Sequence, residues 1–143
     1  MKLRLLLILP LGMALLSSCH LSNPNAVAEK EIRDILYDLS RDFNWKNIGG
    51  IMQSVHPDYL HNGMYDNGLR ELWLGRMALY DLLTIEVQFI DFSTDYATVH
   101  MRLVFESAAW ELTLVEPGDS GDVSYFYYSN GSWKIHGNQL WGW

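Results

Sequence analysis

The hydrophobic period of this chain changes once, near residue 83, and that switch constrains the fold more than any single motif. Before it, apolar residues recur at helical spacing. Ala28, Ile32, Ile35, Leu36, Leu39 and Phe43 form one stripe over 26–43. Leu69, Leu72, Trp73, Arg76, Met77 and Tyr80 follow the same period over 69–83. After the switch come four extended stretches, 84–91, 95–106, 110–116 and 123–139. In the second, Ala97, Val99, Met101, Leu103 and Phe105 alternate with a polar set that includes His100, Arg102 and Glu106, which reads as a solvated outer face. The last folds back at Asn130-Gly131, a strong signal for a two-residue hairpin turn. Helices followed by strands imply an α+β domain, with the helices on one face of an antiparallel sheet.

Shorter signals fill the first half. Asn23-Pro24 or Asn25 can open the first helix, with Glu29 and Glu31 where the helix dipole favours acids. A second helix spans Trp45 to Gln53, weakened by Gly49-Gly50 and stopped at His56-Pro57, because a residue before proline is pushed out of the α region. Residues 58–62 suit a short strand, and Asn67 a helix cap.

The amino end reads as a targeting segment. Lys2 and Arg4 precede an apolar run from Leu5 to Leu16, broken by Pro10 and Gly12 and shorter than the roughly 20 residues of a membrane span. Leu16-Ser17-Ser18-Cys19 resembles the bacterial lipobox, in which the cysteine takes lipid. The expected division is a signal peptide over 1–18, a lipidated tether over 19–25 and a domain over 26–143. Two or more acyl chains on Cys19 would hold the chain stably to a membrane. His20, in place of an aspartate, favours the outer membrane, facing the periplasm, if the source is Gram-negative.

Composition narrows the function. Ten Lys and Arg against 17 Asp and Glu, with no basic stripe, exclude a nucleic-acid partner. At 143 residues, 19% charged and 13% aromatic, the chain suits one well-buried domain rather than a disordered one. One cysteine permits no intramolecular disulfide and no cysteine-cluster zinc site. No nucleophile elbow, phosphate-cradling loop or nucleotide fingerprint is present, so no cofactor is expected. His56, Asp58 and His61 form H-x-D-x-x-H, but alternation in an extended segment puts His61 on the other face, and no metal site is assigned.

The order of elements, together with HPDYLHNG over 56–63 and YYSNGSWKIHGNQLW over 127–141, resembles the nuclear transport factor 2-like superfamily, which includes SnoaL-like cyclases and ketosteroid isomerases. The resemblance covers roughly 26–141. It implies a cystatin-like cone of helices on a curved antiparallel sheet, with a cavity at the wide end. It places the isomerases' general-base aspartate near His61 or Asn62, their proton-donating tyrosine near Tyr37 and their second aspartate near Tyr125. Two of these three roles lack the expected side chain, although an imidazole titrates near neutrality and can act as a base.

The candidate catalytic set is therefore His61, Tyr37 and Tyr125, and the candidate ligand-binding set is His61, Asn62, Tyr37, Tyr125, Asn138 and Trp141. On the closing strand the alternation turns Trp133 and Ile135 toward the core and leaves His136 at the surface, whereas the resemblance turns His136 and Asn138 toward the cavity; both remain open. Six tryptophans and eight tyrosines fit either an aromatic-lined cavity or ordinary core. The strand from Val123 to Tyr128 is apolar on both faces, Val123, Tyr125 and Tyr127 against Phe126 and Tyr128. With the habit of relatives to pair through the sheet, that implies a homodimer.

The leading expectation is a lipid-anchored extracytoplasmic domain that binds a small, largely apolar molecule in its cone. The alternatives are a SnoaL-like acid–base enzyme and a structural module that recruits partners.

Overall fold

A computed structural model describes residues 23–118 and 121–139. The expected signal segment, Cys19 and Trp141 lie outside the described residues.

Helix α1 (Ala26–Asn44) buries Ile32, Leu36, Leu39 and Phe43, the stripe set by their spacing. It ends at Trp45, because Lys46 takes a left-handed φ of 58°. Helix α2 (Ile48–Gln53) therefore starts three residues later than its sequence suggests, and Asn47 caps it by accepting from Gly50 N at 3.1 Å. Strands β1 (Leu60–His61) and β2 (Met64–Tyr65) form a small hairpin around Asn62-Gly63, both at positive φ.

Helix α3 (Asp66–Leu79) begins one residue before Asn67, and Asp66 Oδ1 accepts from Asn67 N at 2.8 Å. It stops at 79 rather than 83, because Tyr80 is extended and Asp81 N donates to Glu106 O at 2.8 Å, which draws the next residues into the sheet. The Lys46 ammonium donates to Met77 O (2.9 Å) and Tyr80 O, satisfying carbonyls at the α3 C-terminus.

The main sheet is antiparallel: β3 (Leu82–Ser93), β4 (Tyr96–Glu106), β6 (Tyr125–Ser129) and β7 (Ser132–Ile135) lie in that order, and β5 (Glu111–Glu116) pairs with the far half of β4. A bulge between Val87 and Phe89 shifts the phase of β3. Leu83, Ile85 and Val87 pack inward before it and Ile90 and Phe92 after it, while Phe89 is left outside opposite His100. Without the extra residue, the last two would face outward.

The free edge of β7 is covered by the chain between α2 and β1. Val55 bridges Ile135, His56 N donates to Ile135 O (2.7 Å), and Leu60 N donates to His136 O (3.1 Å). Gly137, at φ 79°, fits there for lack of a side chain, since a Cβ would stand 2.4 Å from Leu60 O.

The interior between helices and sheet is filled. Phe43 lies edge-on to Trp73 and Phe105, with ring centroids 5.9 and 5.3 Å apart, and Tyr59, Phe126 and Met101 are also fully buried. Each such side chain contributes on the order of 1.5–3 kcal/mol through burial. Helices on one face of a curved antiparallel sheet, with the core between, make the α+β architecture expected from the residue pattern and the cystatin-like form that the resemblance implies.

Candidate functional site

The sheet's alternation decides where the expected site residues fall. On β6, Phe126 pairs with Ala97 and Ile135, all buried in the core, so Tyr125 and Tyr127 point to the face away from the helices. Val123 lies before the strand and is fully buried, so it does not share that outer face as the alternation alone suggested. Tyr37 lies on α1, on the helical side, and is 71% exposed. Packed core separates it from Tyr125, so the expected convergence of Tyr37 and Tyr125 does not occur.

His61 does meet Tyr125, ring over ring with centroids 6.4 Å apart, and its Nε2 accepts from Asn62 Nδ2 at 3.2 Å. It is 1% exposed, and among the described residues its Nδ1 has no hydrogen-bond partner. Tyr125 and Asn138 line one outer concavity of about 200 Å³ with Tyr96, Thr98 and Gln139. The six-residue ligand set is thus divided: His61 beside Tyr125, Tyr125 with Asn138, Tyr37 elsewhere, and Trp141 outside the described residues. The catalytic set His61, Tyr37 and Tyr125 is not assembled.

The cavity expected inside the cone is occupied by Trp73, Phe43, Phe105 and Tyr59. A groove of about 440 Å³ lies instead between α1 and β3, lined by Leu36, Tyr37, Leu82, Leu83, Ile85 and Val87. Part of its polar margin is engaged within the protein. Ser40 Oγ donates to Leu83 O (2.6 Å), Asn44 Oδ1 accepts from Leu83 N (2.7 Å), and Arg33 holds Glu29 at 2.8 Å. What the groove presents to a visitor is mixed: the apolar side chains of Leu82, Ile85 and Val87 and the Tyr37 ring lie beside the polar groups of Arg33 and Thr84.

Deep in the fold lies a polar cluster that the sequence reading did not single out. Glu116 and Asp122 are 3% and 0% exposed and hydrogen-bonded to each other. Burial, then the Asp122 bond and charge, push the Glu116 carboxyl up to about 10, so it is neutral at pH 7. Val123 N donates to Glu116 Oε2 (3.1 Å), and Asp122 accepts from Gly118 N (2.7 Å), Ser124 N (2.7 Å) and the Ser124 hydroxyl. The Tyr59 hydroxyl donates to Asp122 O at 3.1 Å, and burial raises its pKa further than the neighbouring acids do. The Arg76 guanidinium, stacked over Trp73 and Phe105, has its pKa lowered by burial, opposed by Glu116. The bonds tie the two ends of the 116–124 segment together, which is a structural role. One signal for it was available: Arg76 sits on an otherwise apolar helical stripe.

His136, which the alternation leaves at the surface, is 8% exposed. Its strand neighbours Trp133 and Ile135 do face the core, as the alternation implies, but the 55–60 segment and Tyr127 cover the imidazole from outside. Burial, then the nearby His56, lower its pKa, and Asp58 opposes them. His56 stands edge-on to His136, with centroids 5.0 Å apart. Asp58 N donates to His56 Nδ1 (3.0 Å), so a neutral His56 carries its proton on Nε2, 3.1 Å from Ser129 Oγ. His56 and Asp58 thus brace the local chain, while His61 lies apart beside Tyr125. Among the described residues no group of three or more His, Cys, Asp or Glu is arranged to hold a metal ion.

The polar set on β4 lies on the outer face as expected, with His100 3.2 Å from Asp91 and Arg102 on Glu86 at 3.0 Å. Among the described residues no helix is long and apolar enough to cross a membrane.

No protein-family model matches the chain, and no curated protein matches it in sequence. Solved structures do match in fold. One is a protein with a cystatin-like fold from Nostoc punctiforme, at TM-score 0.60 and 12% identity over 78% of this chain and 88% of that one. Another is an NTF2-like protein from Shewanella oneidensis, at TM-score 0.57 and 17% identity over 77% and 95%. A third is a scytalone dehydratase candidate from Novosphingobium aromaticivorans, at TM-score 0.57 and 13% identity over 79% and 82%. The chain has the NTF2-like, cystatin-like fold. That fold hosts unrelated activities and does not itself assign one.

Proposed function

We propose that this chain is a lipid-anchored extracytoplasmic binding domain that holds a small, largely apolar molecule in the groove between α1 and β3. The observation that carries the reading is the lining of that groove. Apolar side chains of Leu82, Ile85 and Val87 stand beside the Tyr37 ring along its wall, and three of the polar residues around it, Arg33, Ser40 and Asn44, already bond to Glu29 and Leu83. At about 440 Å³ it falls within the range of small-molecule sites. A site of this kind gains affinity from apolar burial and has no general acid or base positioned on the visitor.

The anchor enters through Cys19, which follows a complete apolar segment. It would hold the domain at the envelope, where a ligand partitions between membrane and protein. Native mass spectrometry of the full chain extracted from its own membrane tests the reading. An adduct of a few hundred daltons, lost when Leu82→Glu places a charge on the groove wall, is expected. An adduct that survives that change would place the ligand elsewhere, and a chain without any adduct would argue for a purely structural module.

A further inference from the structure

At the amino end of α1 lies a second groove, of about 290 Å³, lined by Pro24, Val27, Ala28, Phe92, Tyr128 and Trp133. Val27 is 82% exposed and Tyr128 41%, so this end of the molecule shows apolar and aromatic surface to its surroundings. Glu31 is the one ionisable residue in the lining, and its Oε1 is engaged, accepting from Trp133 N at 2.9 Å.

Chain length supplies the second observation. Three residues lie between Cys19 and Asn23, where the described chain begins, which makes four Cα-to-Cα steps, and an extended chain spans at most about 3.6 Å per step. The Cys19 Cα therefore cannot stand more than roughly 14 Å from Asn23, the residue just before the groove. A lipid on Cys19 would draw this end of the domain, and no other, to the bilayer.

We infer that the groove formed by the start of α1, Phe92, Tyr128 and Trp133 rests on the lipid leaflet that holds the Cys19 anchor. This inference depends on the lipid-anchor reading above. Tyrosine favours the membrane interface, where an apolar ring meets a polar headgroup region, and Tyr128 is the exposed ring of this patch, with the buried Trp133 beneath it. The chain's acidic balance of 17 acids to 10 bases opposes an anionic surface, so contact runs through the apolar side chains of the patch, with the Glu31 carboxylate held on Trp133 N, and neutral lipid suffices. The domain is then seated on the leaflet rather than suspended from a loose tether. The α1–β3 groove begins near Arg33, further along the same helix and farther from the bilayer.

The test uses the full, processed chain in neutral phosphatidylcholine vesicles. Cys19 is the sole cysteine and its thiol is consumed by lipid, so Val27→Cys introduces a unique thiol for a nitroxide label. Trp110→Cys serves as the control, in the turn after β4, about 33 Å along the strand from the Tyr96 end. Both positions are highly exposed, so neither change disturbs packing. The expected result is an oxygen-to-nickel accessibility ratio several-fold higher at 27 than at 110, unchanged in 0.5 M salt (about a 4 Å screening length). Equal, water-like ratios at both sites on vesicle-bound protein would overturn the seating and leave the anchor intact. A mass spectrum without lipid, taken before labelling, would overturn the anchor and the seating together.

Discussion

Glu116 and Asp122 meet as a buried, hydrogen-bonded carboxyl pair at the two ends of one short segment. The folded state holds the Glu116 proton up to about 10, whereas an unfolded glutamate releases it near 4.5. Between those values the native state binds more protons than the unfolded one, so this group's contribution to stability falls as pH rises. Glu116→Gln keeps a donor toward Asp122 and an acceptor for Val123 N, and removes the titration. Urea unfolding at pH 5 and pH 9 should show the variant holding its stability at pH 9 better than the wild type. An equal pH slope in both proteins would show that Glu116 is not the group responsible.

His136 acts in the opposite direction. Its folded pKa is lowered by burial and by His56, so the unfolded chain binds the extra proton first as pH falls below about 6.5. Stability from this site is full at neutral pH and is lost as pH falls below that value. His136→Gln should make the thermal midpoint less sensitive to acid between pH 7 and pH 5 (about the lower half of the imidazole range). A variant as acid-sensitive as the wild type would assign the effect to other groups.

Cys19→Ser should abolish metabolic palmitate labelling and leave the precursor unprocessed, because the lipid-accepting thiol is gone. Labelling that persists in the variant would refute the anchor.

These residues differ in how much of their role could be read from the sequence. The apolar stripes of α1 and α3 and the alternation of β4 carry their own burial pattern, because period and face are local properties. The α+β order and the Asn130-Gly131 hairpin follow for the same reason. The bulge after Val87 has no local signature here, and it moves Phe89 to the outer face. Lys46 is another case, since its positive φ is stabilised by its ammonium reaching the α3 carbonyls. The site was less legible. Pro117-Gly118 to Asp122 reads as a polar loop, and the burial of Asp122 depends on α3 and Tyr59 closing over it. His136 alternates outward correctly, and its cover comes from residues some 80 positions earlier. Tyr37 lies within a turn of the core stripe, yet helix rotation leaves it at the lip of the α1–β3 groove.

The central claim is that the α1–β3 groove receives an apolar molecule, and a titration with an apolar fluorescent probe tests it most directly. Leu82 is 42% exposed at the groove wall, so Leu82→Glu places a charge there without opening the core. The wild-type chain should bind the probe, and Leu82→Glu should weaken binding about tenfold or more, the equivalent of roughly 1.4 kcal/mol of lost apolar contact. Circular dichroism should be unchanged. Equal affinity in the two proteins, with the fold intact, would contradict it.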